Sequence, residues 1–400
     1  MKILILTDEI PYPPISGGLL RVYNLLIRVA KRHQVTLIAP QTAEDQNKDL
    51  SYLKGFCDEV KTVVVPKRSL LVRLPTLARY ALSGTPLELG YEYSQELARK
   101  IRDCVSVERF DILQIEQSHM VHYREAFPRP IDSKCILMFH DIEFAQVARL
   151  AELEKKVRRK LRLHLYSRMM RRWEPQMAGQ FDRCTVVSEP DRHLLLTANP
   201  KLKKVDIIPN GVDTACYQPL PPAAIHPTLL FVGNMNYLPC IDAMRYFCQE
   251  IFPRVQESVK EVKLWIVGKE PAPEVETLKS DAVYVTGKVE DVIPYYRQCT
   301  VCVVPLQGGG GTRLKILEAM ALGRPVVSTT IGCEGLEVID KKHLLIADTP
   351  RQFADATIRL LVDEPLRQQI TTQARRIVTA RYDWDIIAEK LMQIYDEMVQ

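Results

Sequence analysis

The 400-residue sequence lacks any long apolar run. Its opening stretch, "MKILILTDEI", has only four apolar residues between Lys2 and Thr7, and a secretory signal needs a longer apolar core. No other stretch approaches the roughly 20 apolar residues of a membrane-spanning helix. We therefore expect a cytoplasmic protein, peripheral on the inner face of the membrane only if a surface patch docks it there.

Paired cysteines are also scarce. The ten cysteines are scattered, and only Cys299 and Cys302 form a C-x-x-C pattern. No second pair is spaced to complete a zinc site, and Cys302 lies in "VCVVPL", an apolar run typical of a buried strand. We expect these thiols to be small core residues in a reducing compartment, and we expect no bound metal.

The net charge of +5 is modest but unevenly placed. Residues 155–172 hold nine Lys and Arg and no acidic residue. Apolar residues recur there at every fourth position, which predicts a basic amphipathic helix: Val157, Leu161, Leu165, Met169 and Trp173. Three interpretations stay open: a solvated face, a surface for anionic lipid head groups, or attraction of an anionic acceptor. Nucleic acid is not expected as a partner, because no nucleic-acid-binding motif accompanies the charge.

Short apolar segments alternate with helical ones along the whole chain. The predicted strands are 2–7, 34–40, 60–66, 110–116, 134–141, 183–188, 228–234, 262–270, 283–289, 301–306, 324–329 and 343–348. Strands that are apolar on both faces and separated by helices indicate a parallel sheet covered on both sides. Residues 216–227 contain four prolines and have the composition of a linker. The sequence therefore predicts two doubly wound α/β domains.

The stretch "GGGGTRLKILEAM" (308–320) places four glycines between a strand and a helix. Glycines at a helix N-terminus leave backbone N–H groups open to an anion, and Arg313 and Lys315 would add formal charge. Cations there oppose the helix dipole, and a bound phosphate would remove that cost. The alternative is a solvated turn with a basic helix face. Glu318 could accept hydrogen bonds from a pair of ribose hydroxyls, or it could simply pair with a neighbouring cation.

A second glycine loop, Gly17–Gly18, follows the first strand and leads into a helix that carries Arg21 and Asn24. It is either another phosphate-tolerant loop or an ordinary strand–helix turn. His140 ends another predicted strand and is followed by Asp141 and Glu143. Titratable groups beyond the carboxyl end of a strand are plausible active-site residues, and the alternative is a lone histidine capped by its own Asp141.

These motifs together resemble glycosyltransferase family 4, the "group 1" retaining transferases of the GT-B fold. The resemblance runs nearly end to end. It is carried by "PYPPISGGLLRVYNLL", "DIIPNGVD", "FVGNMNYLPCIDAMRYF", "VTGKVEDVIPYY" and "VVPLQGGGGTRLKILEAMALGRPVVSTTIGCEGLEV". Within these segments, "YLPCIDA" and "GGGTRLK" look like the forms of a subgroup linked to exopolysaccharide or cell-surface glycan assembly. The GT-B fold implies two Rossmann-like domains that face each other across a cleft. We expect an acceptor-side domain at 1–215, the linker at 216–227, a nucleotide-sugar domain at 228–380, and a helix at 381–400 that crosses back.

The resemblance also implies site residues. Glu318 matches the second Glu of the family's E-x7-E motif, which holds the nucleotide ribose. Arg313 and Lys315 are then candidates for the diphosphate, and His140 matches a histidine near the reacting sugar. The remaining donor-binding positions lie in glycine loops and at the helix start: Gly17, Gly18, Gly233, Gly287, Gly311, Thr312 and Leu314.

Two departures from the family pattern stand out. Gly310 occupies the position of the first Glu of the motif, which contacts the donor hexose, and Glu334 is a substitute candidate. The loop 233–242 lacks the Arg or Lys that many members place there for phosphate, and Arg313 and Lys315 would supply that charge instead.

The implied function is metal-independent transfer of a sugar from a nucleotide diphosphate sugar to a glycan or lipid-linked acceptor, with retained configuration. Alternatives are a nucleotide-sugar epimerase or hydrolase of the same fold, and a catalytically silent nucleotide- or glycan-binding protein. A dinucleotide oxidoreductase fits poorly, because neither glycine loop carries G-x-G-x-x-G followed by an acid about 20 residues on.

Overall fold

The computed structural model describes residues 1–42, 50–65, 79–80, 82, 84–221, 227–311 and 313–400. The chain divides into two compact units. The first unit contains Met1–Ala148, Val157–Pro209 and Ile387–Gln400, and the second contains Arg149–Lys156 and Asn210–Ile386.

The first unit is built on a seven-stranded parallel sheet with strand order β3-β2-β1-β4-β5-β6-β7. Its strands are β1 Lys2–Leu6, β2 Gln34–Gln41, β3 Glu59–Val64, β4 Ile112–Glu116, β5 Lys134–Met138, β6 Arg183–Val186 and β7 Val205–Ile207. Six were predicted from their apolar runs, although Pro66, at the end of the third, lies outside the described residues. The seventh was missed because only three residues, "VDI", pair with β6.

Helices cover the sheet of the first unit. They are Gly17–Val29, Ser51–Lys54, Leu87–Glu92, Gln95–Val107, Glu143–Leu153, Val157–Ala178 and Glu189–Ala198, with a 3₁₀ segment at Ser118–Ala126 and the end of the C-terminal helix Trp384–Val399. The Ser16 hydroxyl caps the first helix by accepting from Leu19 N at 3.3 Å. The apolar stripe of this helix, at helical spacing, is buried: Leu19, Val22, Leu25, Leu26 and Val29.

The second unit has a six-stranded parallel sheet with strand order β10-β9-β8-β11-β12-β13. Its strands are β8 Thr228–Val232, β9 Lys263–Val267, β10 Val283–Val285, β11 Val301–Val304, β12 Val326–Ser328 and β13 Leu345–Ile346. All six lie inside segments predicted as strands. Cys302 is buried in β11, with its sulfur 3.6 Å from that of Cys299.

The helices of the second unit are Leu238–Tyr246, Phe252–Ser258, Pro273–Glu276, Ile293–Gln298, Leu314–Ala321, Pro350–Val362 and Glu364–Arg381, with a π-helical turn at Phe247–Ile251. The helix after the glycine loop ends at Ala321 and is followed by Gly323, whose φ of +70° suits glycine, just before Pro325. This is the helix that "RLKILEAMALG" predicts.

The basic helix Val157–Ala178 turns its apolar stripe outward. Val157, Leu161 and Leu165 are 80%, 70% and 60% exposed, and only Trp173 at the end of the stripe is buried. The buried side is formed by another set of residues: Ser167, Met170, Glu174 and Ala178. The stripe therefore does not serve the core of the first unit. Within the described part of the chain, no helix combines the length and apolar character needed to cross a bilayer.

Candidate active site

In the first unit, the sheet changes direction between its neighbouring strands β1 and β4. Ligands of doubly wound sheets bind beyond the carboxyl ends of the strands at such a switch point. Gly17 and Gly18, predicted as a loop after β1, are the first two residues of the helix Gly17–Val29, and His140 lies just after β5. An ideal Cβ placed on Gly18 would be 3.5 Å from His140 Nδ1, so the structure brings this predicted pair together.

His140 is held by a buried carboxylate that sequence reasoning missed. Glu116, at the end of β4, has its Oε2 2.6 Å from His140 Nε2 and is 1% exposed. The Gln114 side-chain amide donates to Glu116 Oε1 at 2.5 Å, and Tyr395 OH donates to Gln114 Oε1. The available signal was the polar pair in the apolar strand "ILQIE", because buried polar groups need partners.

Arg21 and Asn24, the polar residues singled out on the first helix, form different hydrogen bonds. Arg21 is buried, and its Nη1 donates to Pro209 O at 2.9 Å. Burial lowers the pKa of Arg21 to about 10, although the nearby Glu116 opposes this shift. Asn24 instead serves its own helix, because its Nδ2 donates to Leu20 O at 2.8 Å. Arg21 therefore adds charge beside Glu116, whereas Asn24 has a local role.

The acids after His140 do not act as one cluster. Burial, with Glu143 nearby, raises the pKa of Asp141 to about 6. Glu143 accepts from Tyr166 OH at 2.6 Å. Glu174 accepts from the backbone N–H groups of Glu143 and Phe144, both at 3.2 Å, and so caps the helix Glu143–Leu153. Burial raises the pKa of Glu174 to about 8.

In the second unit, the switch point lies between β8 and β11. Lys315, in the first turn of the helix that follows β11, places its Nζ 4.0 Å from the ring centroid of Phe231 on β8. That Nζ also lies 2.9 Å from an ideal Cβ on Gly233, so Lys315 meets the Gly233 loop. Burial lowers the pKa of Lys315, and Arg313 adds to this effect. The structure thus places one partly buried ammonium at the switch point.

Arg313 is oriented differently from the phosphate grip that the sequence suggests. Its guanidinium folds back and donates to carbonyl oxygens of its own loop, those of Gly308, Gly310 and Gly311. The residue is buried, and burial lowers its pKa. In this arrangement Arg313 shapes the glycine loop, and Lys315 is the cation next to Gly233.

Glu318 lies one turn beyond Lys315 on the same helix. Its Oε2 accepts from Tyr296 OH at 3.3 Å. Burial raises the pKa of Glu318, while the bond from Tyr296 and the charge of Lys315 work against that rise. Leu314 opens the helix and Gly311 has a φ of +71°, whereas Thr312 lies outside the described residues.

Gly233 and Gly287, the predicted glycines that follow β8 and β10, differ in how closely the neighbouring chain packs against them. Gly287 has a φ of +75°, and an ideal Cβ on it would meet nothing within 4 Å. Gly233 packs closely, and its partner is a glycine that the sequence did not single out. An ideal Cβ on Gly268 would lie 1.6 Å from Gly233 O, so the chain after β9 touches the chain after β8 backbone to backbone.

Glu334, the substitute candidate for the carboxylate missing at Gly310, already has a partner in the second unit. Arg149 pairs with both of its carboxylate oxygens, with Nη2 2.9 Å from Oε1. Arg149 also donates to Gly309 O at 3.0 Å. The pair therefore ties Glu334 to the glycine loop.

Comparison with known proteins assigns the chain to a class. Residues 226–363 match the family described as "Glycosyl transferases group 1", and residues 15–215 match "Glycosyltransferase Family 4". Both sheets fit the GT-B fold, and the class is that of glycosyltransferases. The chain belongs to glycosyltransferase family 4.

Similar proteins span a range of functions. A phosphatidyl-myo-inositol mannosyltransferase of Mycobacterium leprae is 28% identical over 62% of this chain and 66% of its own length. An uncharacterized 44.6 kDa protein in the cps region of Klebsiella pneumoniae is 22% identical over 96% of each chain. Sucrose-phosphate synthase from Thermosynechococcus elongatus has a TM-score of 0.72 at 18% identity, covering 100% of this chain and 99% of its own. Anabaena Alr3699/HepE, solved with UDP and glucose, has a TM-score of 0.68 at 16% identity and covers 99% of this chain and 100% of its own.

Proposed function

We propose that this protein transfers a sugar from a nucleoside diphosphate sugar to a glycan or lipid-linked acceptor, with retained anomeric configuration and no required metal ion. The observation that carries this proposal is the position of Lys315. Its ammonium lies beside Gly233 in the first turn of a helix, at the switch point of the second sheet. A helix N-terminus together with a partly buried cation is suited to a diphosphate.

The chemistry of the donor explains why the charge belongs there. Negative charge grows on the phosphates as the bond from the sugar C1 to the phosphate oxygen breaks. Fixed cations and backbone amides aimed at that charge stabilise the transition state more than the ground state. Lys315 and the amides around Gly311 and Leu314 can supply this stabilisation, while Glu318 accepts from the ribose hydroxyls.

Retention is compatible with attack of the acceptor hydroxyl on the same face from which the diphosphate leaves. In this step the new bond from C1 to the acceptor oxygen forms as the bond to the phosphate oxygen breaks. The hydroxyl proton passes to the departing phosphate, so the protein needs no carboxylate nucleophile. His140, in the candidate site of the first unit, would contact a substrate hydroxyl.

The similar proteins support a cell-surface role. One is described as a transferase that acts on a phosphatidylinositol, and another lies in a cps region. A structural neighbour was solved with UDP-glucose. We therefore place the acceptor among lipid-linked or surface glycans.

A binding and turnover experiment tests the proposal. We expect one of UDP, GDP or ADP, screened by thermal shift, to raise the melting temperature, because a ligand that binds only the folded state stabilises it. The matching nucleotide sugar should then lose its sugar to lipid extract, and only when the extract is present. Free sugar formed without acceptor would indicate a hydrolase. Binding of a nucleoside diphosphate without turnover of its sugar would indicate a silent binding protein.

We further propose that the outward stripe of the helix Val157–Ala178 docks the protein on an anionic membrane surface. Three apolar side chains of the stripe are exposed, and they lie among exposed arginines: Arg158, Arg162, Arg168, Arg171 and Arg172. A helix that presents apolar and cationic groups together fits the boundary between anionic head groups and acyl chains. This surface would bring the enzyme to a lipid-linked acceptor.

Vesicle sedimentation tests the docking surface. We expect the protein to bind phosphatidylglycerol vesicles and to leave phosphatidylcholine vesicles unbound, with binding weakened by salt. The double variant Leu161→Glu/Leu165→Glu should bind at least about 10-fold more weakly, because it buries less apolar area and carries less positive charge. Val107→Glu is the matched control, since Val107 is an exposed apolar residue of another helix in the same unit. Equal losses in both variants would contradict a specific docking surface.

A further inference from the structure

A chain of buried hydrogen bonds links the C-terminal helix to His140 within the first unit. Tyr395 OH donates to Gln114 Oε1, Gln114 Nε2 donates to Glu116 Oε1, and Glu116 Oε2 lies 2.6 Å from His140 Nε2. Gln114, Glu116 and Tyr395 are all buried. Each member has a direction, because a phenol hydrogen donates, an amide has a donor end and an acceptor end, and an ionised carboxylate only accepts.

The direction of this chain determines the proton on the imidazole ring. The Tyr395 hydroxyl donates to the oxygen of the Gln114 amide, so the NH₂ group of Gln114 points to Glu116. Both oxygens of Glu116 then accept, one from Gln114 and one from His140. His140 must therefore carry its hydrogen on Nε2. Among the described residues, Nδ1 of His140 has no hydrogen-bond partner, and it faces Gly18.

We infer that Glu116 is a positioning residue that holds His140 in its Nε2–H tautomer, so that Nδ1 accepts a hydrogen bond from a substrate hydroxyl. The tautomer follows from the network alone, whereas the role toward substrate rests on the proposed transfer reaction. A histidine held this way is unsuited, while neutral, to donate to a phosphate oxygen, because its only N–H is already used.

Other charged and titratable groups face this pair from several elements. Arg21 of the first helix and Tyr395 of the C-terminal helix interact electrostatically with Glu116. Asp8, after β1, and Asp141, after β5, interact electrostatically with His140. Nε2 of His119 lies 3.2 Å from Oδ2 of Asp8. Because these groups also carry charge, the test must observe the tautomer directly.

Glu116→Gln should invert the tautomer. The Gln114 NH₂ group still requires an acceptor opposite it, so the new amide must turn its oxygen to Gln114 and its NH₂ to His140. Nε2 of His140 then accepts, and the proton moves to Nδ1. We expect the ¹⁵N spectrum of the imidazole, recorded at about pH 8 where an ordinary imidazole is neutral, to show Nε2–H in the natural protein and Nδ1–H in the variant. The kcat/KM for transfer should fall about 100-fold.

Two further variants separate positioning from a merely structural role. Glu116→Asp keeps an acceptor-only group and should retain the Nε2–H tautomer and recover part of the activity. Tyr395→Phe removes the hydroxyl but leaves the carboxylate, so the tautomer should again be Nε2–H. An Nδ1–H tautomer in the natural protein, or an unchanged tautomer in Glu116→Gln, would overturn the inference. Inversion of the tautomer in a protein that transfers no sugar would refute the proposed reaction while leaving the positioning intact.

Discussion

Replacing Gly268 with alanine is expected to lower the free energy of unfolding by about 2–4 kcal/mol, because the new methyl group would overlap neighbouring backbone. The ideal Cβ position lies 1.6 Å from Gly233 O and 2.8 Å from Gly233 C. The φ of +156° adds strain for any residue with a side chain. Because both atoms belong to backbone, relief requires the strand ends of β8 and β9 to separate.

Gly287→Ala is the matched control for this prediction. Gly287 also has a positive φ, of +75°, but a Cβ there would meet open space. Only the conformational cost remains, which is about 1–2 kcal/mol. Urea unfolding measures both variants, and the Gly268 variant should also lose the stabilisation that a nucleoside diphosphate gives. If the two variants proved equally stable, the backbone contact would not hold the Gly233 loop in place.

The fold was largely predictable because its strands are apolar on both faces. Runs such as "KILIL" and "TLLFV" are buried along nearly their whole length, and both became central strands. The three-residue strand β7 has no such run, and it exists because β6 offers it a ladder of hydrogen bonds. Pairing of this kind depends on tertiary structure, so local sequence carries little signal for it.

The candidate sites were predictable in their position and less so in their side-chain orientation. Glycine loops after strands indicated where Gly18 meets His140 and where Gly233 meets Lys315. The sequence could not show that the Arg313 guanidinium turns back to carbonyl oxygens of its own loop. It also did not single out Glu116, because an acid at the end of a strand resembles any loop acid until its partners are known.

Glu334 shows the same limit for the donor sugar. Its place in "GCEGLEV" suggests an unpaired carboxylate that could accept a hydrogen bond from a sugar hydroxyl. In the structure that carboxylate is paired with Arg149. A carboxylate neutralised by a guanidinium still has lone pairs to accept hydrogen bonds, but part of its capacity is used. A Glu334 carboxylate paired in this way would therefore be a weaker acceptor for a sugar hydroxyl than an unpaired carboxylate.

Replacing Lys315 with methionine is expected to lower kcat by about 100- to 1000-fold, in the range seen when one preorganised group is removed from a developing negative charge. Donor affinity, measured by thermal shift or calorimetry, should fall by no more than about 10-fold, because the helix amides and the proposed contact of Glu318 with the ribose would remain. The difference between the two losses measures how much of the Lys315 contribution belongs to the transition state.

Two controls make this prediction specific. Lys260→Met removes an exposed lysine that precedes β9, at the amino ends of the strands and so at the opposite end of the sheet from the site, and should leave kcat unchanged. Lys315→Arg keeps the charge, but a planar guanidinium differs in size and shape from the ammonium that lies 4.0 Å from the Phe231 ring centroid and beside Gly233. We expect the arginine variant to recover at most a small part of kcat. Equal losses of turnover and of donor binding in Lys315→Met would show that the ammonium only holds the donor. The charge that drives departure of the diphosphate would then have to come from the helix amides.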